Sequence, residues 1–300
     1  HEIKHATIIG GGHIGLEMAE ACRHLKIDVS MVVRGDQIAP SMDKELLEKV
    51  TENVIEHGVD LQFEITVNSI EKLNGRLQLQ TSAGQIQTDM VIVSTGVRPN
   101  AELAVEAGIK VGKSGAILID EHMQTNMENI FAAGDCAEHN HLVLDESRWI
   151  PMAPSANKGG RVAGENMAGA CTKFPGILGT AVAKVFDYTI AQTGITEKQA
   201  STIEDLGEFE TTTIKAGSRA HYYPGSTPVT IKLVLEKNTG RVLGAQMIGL
   251  GGVAKRLDVL ATAITARMTA EDIGMLDLTY APPFAPVYDP VHVAANVASK

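Results

Sequence analysis

Ala6-Thr7-Ile8-Ile9-Gly10-Gly11-Gly12-His13-Ile14-Gly15 is the stretch from which the rest of the chain can be read. Ala6 to Ile9 is a short apolar run suited to a buried strand, the three glycines make a tight turn, and Ile14 to Leu25 carries helix formers with small residues interspersed. The spacing fits G-x-G-x-x-G, a pattern that has meaning only between a strand and a helix, which is where it stands here. In that context Gly10 makes the turn, Gly12 lets the backbone approach a pyrophosphate, and Gly15 lets helix and strand pack closely. The free N–H groups at the start of the helix then face the anion, with Gly11 part of the same cradle. A glycine-rich turn with no ligand is the bland alternative.

Asp28 to Val33 reads as a second, β-branched strand, and Asp43 to His57 as a charged amphipathic helix with Leu46, Leu47, Val50 and Val54 on one face. The result is a βαβ unit. Glu64 to Ile70 and Arg76 to Thr81 flank Asn74-Gly75, a pair suited to the positive φ angles of a type I′ hairpin, with another turn at Ala83-Gly84. Met90 to Ser94 returns as a buried strand. From Gly96 to about Gly169 the texture changes, with an apolar strand at Ile130 to Ala133 and a helix beginning near Ala156. Beyond Gly179 come strands at Ala183 to Val185, Val229 to Leu235 and Arg241 to Ile248. A helix follows with Leu257, Leu260, Ala261, Ile264 and Met268 on one side, the pattern of an α+β domain. The expected boundaries are 1–97, 98–174 and 175–300.

Three hundred residues with 44% hydrophobic content and a formal net charge of −10 allow two or three compact units and disfavour a nucleic-acid or polybasic membrane surface. No apolar run reaches the ~18–20 residues needed to cross a bilayer, and no leader pattern opens the chain, so a cytoplasmic setting is expected. Because His1 stands in first place and the motif follows within ten residues, the natural start is expected upstream. Cys22, Cys136 and Cys171 are far apart in sequence and read as unpaired structural thiols, with no metal site. His139 and His141 read as solvated loop histidines.

A NAD-binding unit usually places an acid about 20 residues after the glycines to hold the ribose hydroxyls, but the second strand here ends in Val33-Arg34. Two readings of Arg34 stand: it pairs with the 2′-phosphate of NADPH, or it is solvated, with Asp36 close by. Downstream, Thr125-Asn126-Met127-Glu128-Asn129-Ile130-Phe131-Ala132-Ala133-Gly134-Asp135 ends in two small residues, a glycine and a carboxylate. An Asp in such a position can accept hydrogen bonds from a polyol; a surface Asp after an edge strand is the alternative.

The order of these two motifs resembles the flavoprotein pyridine nucleotide-disulfide oxidoreductases, over essentially the whole chain. The resemblance implies an α/β fold with a Rossmann-like nucleotide-binding domain, part of an FAD domain and a C-terminal α+β dimerisation domain. It further implies that Gly134 and Asp135 hold the FAD ribityl, that Gly96 lies near the nucleotides, and that the helix near Ala156 points its amino end at the flavin, where it favours negative charge. Glu17 would contact the nicotinamide; stabilising a helix start as a first-turn acid is its other reading. His13 departs from relatives such as NADH peroxidase, which carry a gating tyrosine there. The family's reactive cysteine lies in an amino-terminal half that this chain lacks.

His221-Tyr222-Tyr223-Pro224-Gly225 and Tyr280-Ala281-Pro282-Pro283-Phe284, the latter followed by Asp289-Pro290, look like coenzyme A-disulfide reductases. That resemblance places Tyr222 and Tyr280 at the disulfide site of a partner subunit in a homodimer, as hydrogen-bond or proton donors to a departing thiolate. Interface packing is the alternative. Lys255, Arg256 and Asp258 are read as a charged surface with a contact to the partner. The expected function is FAD-dependent reduction of CoA disulfide, persulfide or polysulfide by NADPH or NADH. NADH oxidase or peroxidase chemistry and a non-catalytic nucleotide-binding dimer module are the rivals.

Overall fold

In the computed structural model, which describes residues 3–300, the expected βαβ unit is built from β1 (His5–Ile9), α1 (His13–His24) and β2 (Asp28–Val32). α2 (Glu48–Glu56) and β3 (Val59–Gln62) extend it. The sheet is parallel, because each crossover carries the chain back over one face before the next strand begins. A three-stranded antiparallel meander follows: β4 (Val67–Leu73), β5 (Arg76–Thr81) and β6 (Gly84–Thr88). Asn74 and Gly75 both take positive φ, 51° and 83°, as the type I′ reading requires. β4 starts three residues later than the sequence suggests, because the backbone of Glu64 and Ile65 first bonds to Gly35 and Val33.

β7 (Met90–Val93) closes the parallel sheet in the order β3-β2-β1-β7. It is an edge strand and its side chains are only half-covered, with Val93 exposed, so the expectation of a buried strand is corrected. The expected single helix from Asp43 to His57 is also divided. A 3₁₀ turn at Lys44–Leu46 precedes α2, because Asp43 is drawn into contacts with the C-terminal layer.

The middle of the chain holds α3 (Glu102–Glu106), β8 (His139–His141), β9 (Glu146–Arg148) and α4 (Ala153–Met167). No strand forms at Ile130 to Ala133. Among the described residues Phe131 meets only Gln124 in an isolated bridge, and Ile130 is 37% exposed. A β-rich composition becomes a strand only where a neighbour completes the ladder. α4 begins three residues before Ala156, with Pro154 in its first turn, where a missing N–H costs nothing. His139 and His141 are buried, contrary to the solvated reading. Burial pushes the His141 imidazole down to about 4 and lowers His139 as well, so both are neutral near pH 7. A polar His-Asn-His run gives no sign that its hairpin lies under Phe174 and Ile177.

The C-terminal layer is a five-stranded antiparallel sheet of β10 (Ala181–Val185), β11 (Tyr188–Gly194), β12 (Phe209–Gly217), β13 (Pro228–Glu236) and β14 (Val242–Gly249), in the order β10-β11-β14-β13-β12. α5 (Glu197–Ala200) lies between β11 and β12. α6 (Ala254–Thr265), α7 (Ala270–Gly274) and α8 (Pro290–Ala298) follow the sheet, and α6 and α8 pack on it. Leu257, Leu260 and Ile264 of α6 are buried with Val291 and Ala295 of α8; each large aliphatic side chain contributes about 1.5–3 kcal/mol. Met268 lies beyond the end of α6 and reaches the same core from the following turn.

The two sheets share a core, since Val185, Phe186, Ile190 and Ile248 pack with Leu47, Val50 and Val54. A polar lock accompanies it. Lys232 of β13 is 2% exposed and its ammonium meets Asp43 at 2.9 Å, together with Glu45 and Glu197. Burial opposes the charge on Lys232, but hydrogen bonds to the three carboxylates outweigh it and hold the pKa above the ordinary lysine range. No helix of the described residues is long and apolar enough to cross a membrane. Lys232→Met should lower the unfolding free energy by about 3–5 kcal/mol, the cost of stranding buried charge. Denaturant unfolding measures this, and a loss below about 1 kcal/mol would show that the cluster has no such role.

Candidate functional site

The three motif glycines differ in what a side chain would meet. A Cβ on Gly10, at φ 112°, would stand 2.3 Å from the Ser94 carbonyl oxygen, and one on Gly15 would stand 2.2 Å from the Gly10 oxygen. These two positions are closed by the protein itself. Gly11 packs against Val33 in the same way. A Cβ on Gly12 would meet no atom within 4 Å, so Gly12 faces open space at the start of α1. It is also the N-cap of that helix and offers no side-chain cap. The first N–H groups of α1 therefore remain available to an anion. Ser94, which the sequence reading passed over, fastens this corner by donating from Oγ to the carbonyls of Ile9 at 3.0 Å and Gly10 at 3.3 Å. Gly96, two residues further on, is exposed with φ 104° and open space where a Cβ would be.

Arg34 is exposed, two residues past the end of β2. Asp36, the neighbouring acid, is bound to the Lys44 ammonium, whose hydrogen bond holds the carboxyl below its usual range. Glu17 is exposed on α1 but lies beyond the first turn, which contains no acid. Glu17 is therefore not a first-turn stabiliser. His13 begins α1 half-buried; burial lowers its pKa, with the Glu17 carboxylate opposing.

Gly134 takes φ 90°, with open space where a Cβ would be. Asp135 beyond it is exposed, and its carbonyl accepts the Trp149 indole N–H at 2.8 Å. Ala156 sits in the first turn of α4, whose amino end also has no side-chain cap. Cys22 is buried and its thiol is pushed up by burial, as an unreactive thiol should be. Cys136 is half-buried and bonds to the Ala133 carbonyl.

At the far end of the C-terminal layer the structure brings Tyr222 and Tyr280 together. They are 65% and 50% exposed, and the Tyr280 hydroxyl beside it raises the Tyr222 phenol above its usual range by favouring the protonated, donating form. Lys255 and Asp258 form an exposed pair. Arg256 does not join that surface; it turns inward and forms an ion pair with Asp289, a correction to its reading as part of a charged face. An i, i+1 spacing on a helix places neighbours on different faces, and here one of them points toward the core.

Residues 1–160 match the family described as pyridine nucleotide-disulphide oxidoreductase, and residues 180–290 match the dimerisation domain of that family. The chain is 42% identical over 298 residues to the NAD(P)H coenzyme A polysulfide/persulfide reductase of Pyrococcus horikoshii, covering 99% of this chain and 66% of that protein. It is 36% identical over 304 residues to an NADH oxidase of Methanocaldococcus jannaschii, again covering 99% and 66%. The solved structure of a NAD-dependent persulfide reductase from A. fulgidus superimposes with a TM-score of 0.94 at 43% identity, over 99% of this chain and 55% of that one. The chain thus spans less than two thirds of the length of these curated relatives.

Gly12→Ala should cost at most about 1 kcal/mol of stability while weakening NADPH binding about tenfold or more, a loss of roughly 1.4 kcal/mol. Gly15→Ala should destabilise by about 1–3 kcal/mol. Calorimetric titration and denaturant unfolding read the two effects separately, and wild-type affinity in Gly12→Ala would remove Gly12 from the nucleotide site.

Proposed function

The chain belongs to the pyridine nucleotide-disulphide oxidoreductase family, and on that premise we propose that it supplies the nucleotide-binding, flavin-flanking and dimer-forming parts of an FAD-dependent NAD(P)H:disulfide reductase. CoA disulfide, or a CoA persulfide or polysulfide, is the proposed acceptor. Residues 1–97 are assigned to the nicotinamide nucleotide, 98–174 to the flavin and 175–300 to the homodimer contact. The observation that carries the acceptor assignment is the meeting of the Tyr222 and Tyr280 phenols on an exposed surface.

The residues present fit both nucleotides. Open space at Gly12 beside an uncapped helix start suits the pyrophosphate of the nicotinamide cofactor, and Arg34, with Asp36 already engaged, suits a 2′-phosphate. Open space at Gly134, the exposed Asp135 carboxylate and the uncapped amino end of α4 suit a flavin with its ribityl chain. When bound, FAD would supply the transfer of electrons from the nicotinamide to sulfur. Glu17, exposed on α1, is assigned to orienting the nicotinamide amide. Tyr222 and Tyr280 are assigned to the acceptor. A phenol held above its usual pKa stays protonated near pH 7 and can donate to a thiolate as it departs. CoA is bulky, and an exposed pair of phenols leaves room for it.

The oxidase reading is favoured by one observation, the similarity to a protein named NADH oxidase. The two readings differ at the tyrosines. In the flavin-loaded enzyme, Tyr222→Phe and Tyr280→Phe should each lower CoA-disulfide turnover by about a hundredfold, the lower range for a positioned acid, while oxygen-dependent NADPH consumption changes little. Parallel loss of both activities would favour the oxidase. Arg34→Ala should weaken NADPH binding by about 1.5–3 kcal/mol, the range for hydrogen bonds to charged groups, and leave NADH binding unchanged. Equal loss for both nucleotides would assign Arg34 no part in choosing between them.

A further inference from the structure

The two tyrosines lie in separate segments, and neither segment is part of a sheet or helix at its tip. Something must hold the segments together for the phenols to meet. The segment carrying Tyr222 closes at its base, where Ser218 N–H donates to the Thr227 carbonyl at 2.8 Å and Thr227 N–H donates to Ser218 Oγ at 3.0 Å. The segment carrying Tyr280 turns on Ala281, whose carbonyl accepts from Phe284 N–H at 2.9 Å and Ala285 N–H at 3.0 Å. Both bases converge on one side chain.

Arg256, in the first turn of α6, is 12% exposed. Its Nη2 donates to the Ser218 carbonyl at 2.8 Å and to the Phe284 carbonyl at 3.3 Å. Its Nη1 donates to the Gly252 carbonyl at 2.9 Å, and its Nε faces the Asp289 carboxylate at 2.8 and 3.0 Å. Asp289 is in turn the N-cap of α8, accepting the Val291 N–H at 2.9 Å. The guanidinium lies so close to Gly252 that a Cβ there would stand 2.2 Å from Nη1. One planar fork therefore bonds to the base of each tyrosine segment and is itself fixed by a carboxylate and a glycine.

We infer that Arg256 is a positioning residue, whose guanidinium ties the bases of the two tyrosine segments together and so sets the separation of the Tyr222 and Tyr280 hydroxyls. The inference rests on the reading of those tyrosines as the acceptor-facing pair, and it deepens that reading. A lysine at 256 keeps the charge but not the fork, so it cannot serve both carbonyls and the carboxylate at once. The tyrosines would keep their identity and lose their register. A reacting pair displaced by about 1 Å can lose up to about a hundredfold in rate.

The test reads the coupling between the phenols without any substrate. With ring-labelled tyrosine, an NMR pH titration follows the five tyrosines of the chain, assigned by single Tyr→Phe variants. In the wild type, Tyr222 should titrate above the ordinary value of about 10, and Tyr280→Phe should lower it. In Arg256→Lys, Tyr222 should titrate at the ordinary value, and Tyr280→Phe should no longer move it, while nucleotide affinity at the distant glycine motif is unchanged. Full persistence of the Tyr222–Tyr280 coupling in a folded Arg256→Lys chain overturns the inference. Should that variant fail to fold, Asp289→Asn keeps an oxygen to cap α8 and removes the carboxylate that fixes the guanidinium; unchanged coupling there overturns it equally. In the flavin-loaded enzyme, disulfide turnover insensitive to Tyr222→Phe and Tyr280→Phe would defeat the acceptor reading. Loss of the coupling in Arg256→Lys would still establish the clamp.

Discussion

The buried ammonium of Lys232 is the interaction on which the arrangement of the two sheets depends. Taking a charge out of water costs several kcal/mol, and this cost is recovered only where geometry and further hydrogen bonds are good. Here Asp43, the innermost carboxylate, also accepts the backbone N–H groups of Glu197 and Lys198 and the Gln246 amide. Burial works against ionisation of Asp43, and the bonds from Lys232, Gln246 and Lys198 reverse it, so its pKa is lowered. Asp43 and Glu45 come from the parallel-sheet layer, whereas Lys232 and Glu197 come from the C-terminal layer. The cluster thus sets an angle as well as an energy. Asp43, Glu45 and Glu197 are close enough together to resemble a cation site, and the lysine supplies that cation.

A fixed angle between the layers holds two separate groups of candidate residues in one frame. The glycine turn and Arg34 belong to the parallel sheet, and the tyrosine pair to the C-terminal layer. Secondary contacts reinforce the lock. Glu20 on α1 bonds to Lys184 and accepts the Phe186 N–H, and Asn53 on α2 exchanges hydrogen bonds with Asp187. The turn between β10 and β11 is thereby fastened to both α1 and α2. Any displacement of the glycine turn relative to the tyrosines would have to break a buried charge cluster and a shared apolar core at the same time.

What could be read from the sequence follows from the range of the forces involved. The strand, glycine turn and helix at Ala6 to Leu25 are determined by neighbours in the chain, so their register is correct to within a residue. Asn74-Gly75 is likewise local, and its two positive φ angles were foreseeable. The errors fall where the deciding partner is remote in sequence. The helix expected from Asp43 is broken by contacts with residues 197, 198, 232 and 246. The strand expected at Ile130 lacks a ladder, and the polar run at His139 to His141 is buried by aromatic and aliphatic residues more than thirty positions away. β11 mixes polar and apolar residues and β12 carries the Thr211–Thr213 run, so neither is marked as a strand until β14 and β13 pair with them.

The same distinction of range separates the motif residues from those that support them. Gly12 and Arg34 face outward, where a ligand can select them, and each carries a local signature. Ser94, Lys232 and Arg256 face inward and have no signature, since a serine after a strand, or a basic residue on a strand or a helix, is ordinary until its partners are known. Each binds groups that are distant in sequence: Ser94 the glycine turn, Lys232 the two layers, Arg256 the two tyrosine segments. A chemistry-bearing side chain can be recognised by its type, but its position is a property of the residues that hold it. That division explains why a short motif draws notice to the tyrosines while the inward turn of Arg256 beneath them has no mark in the sequence.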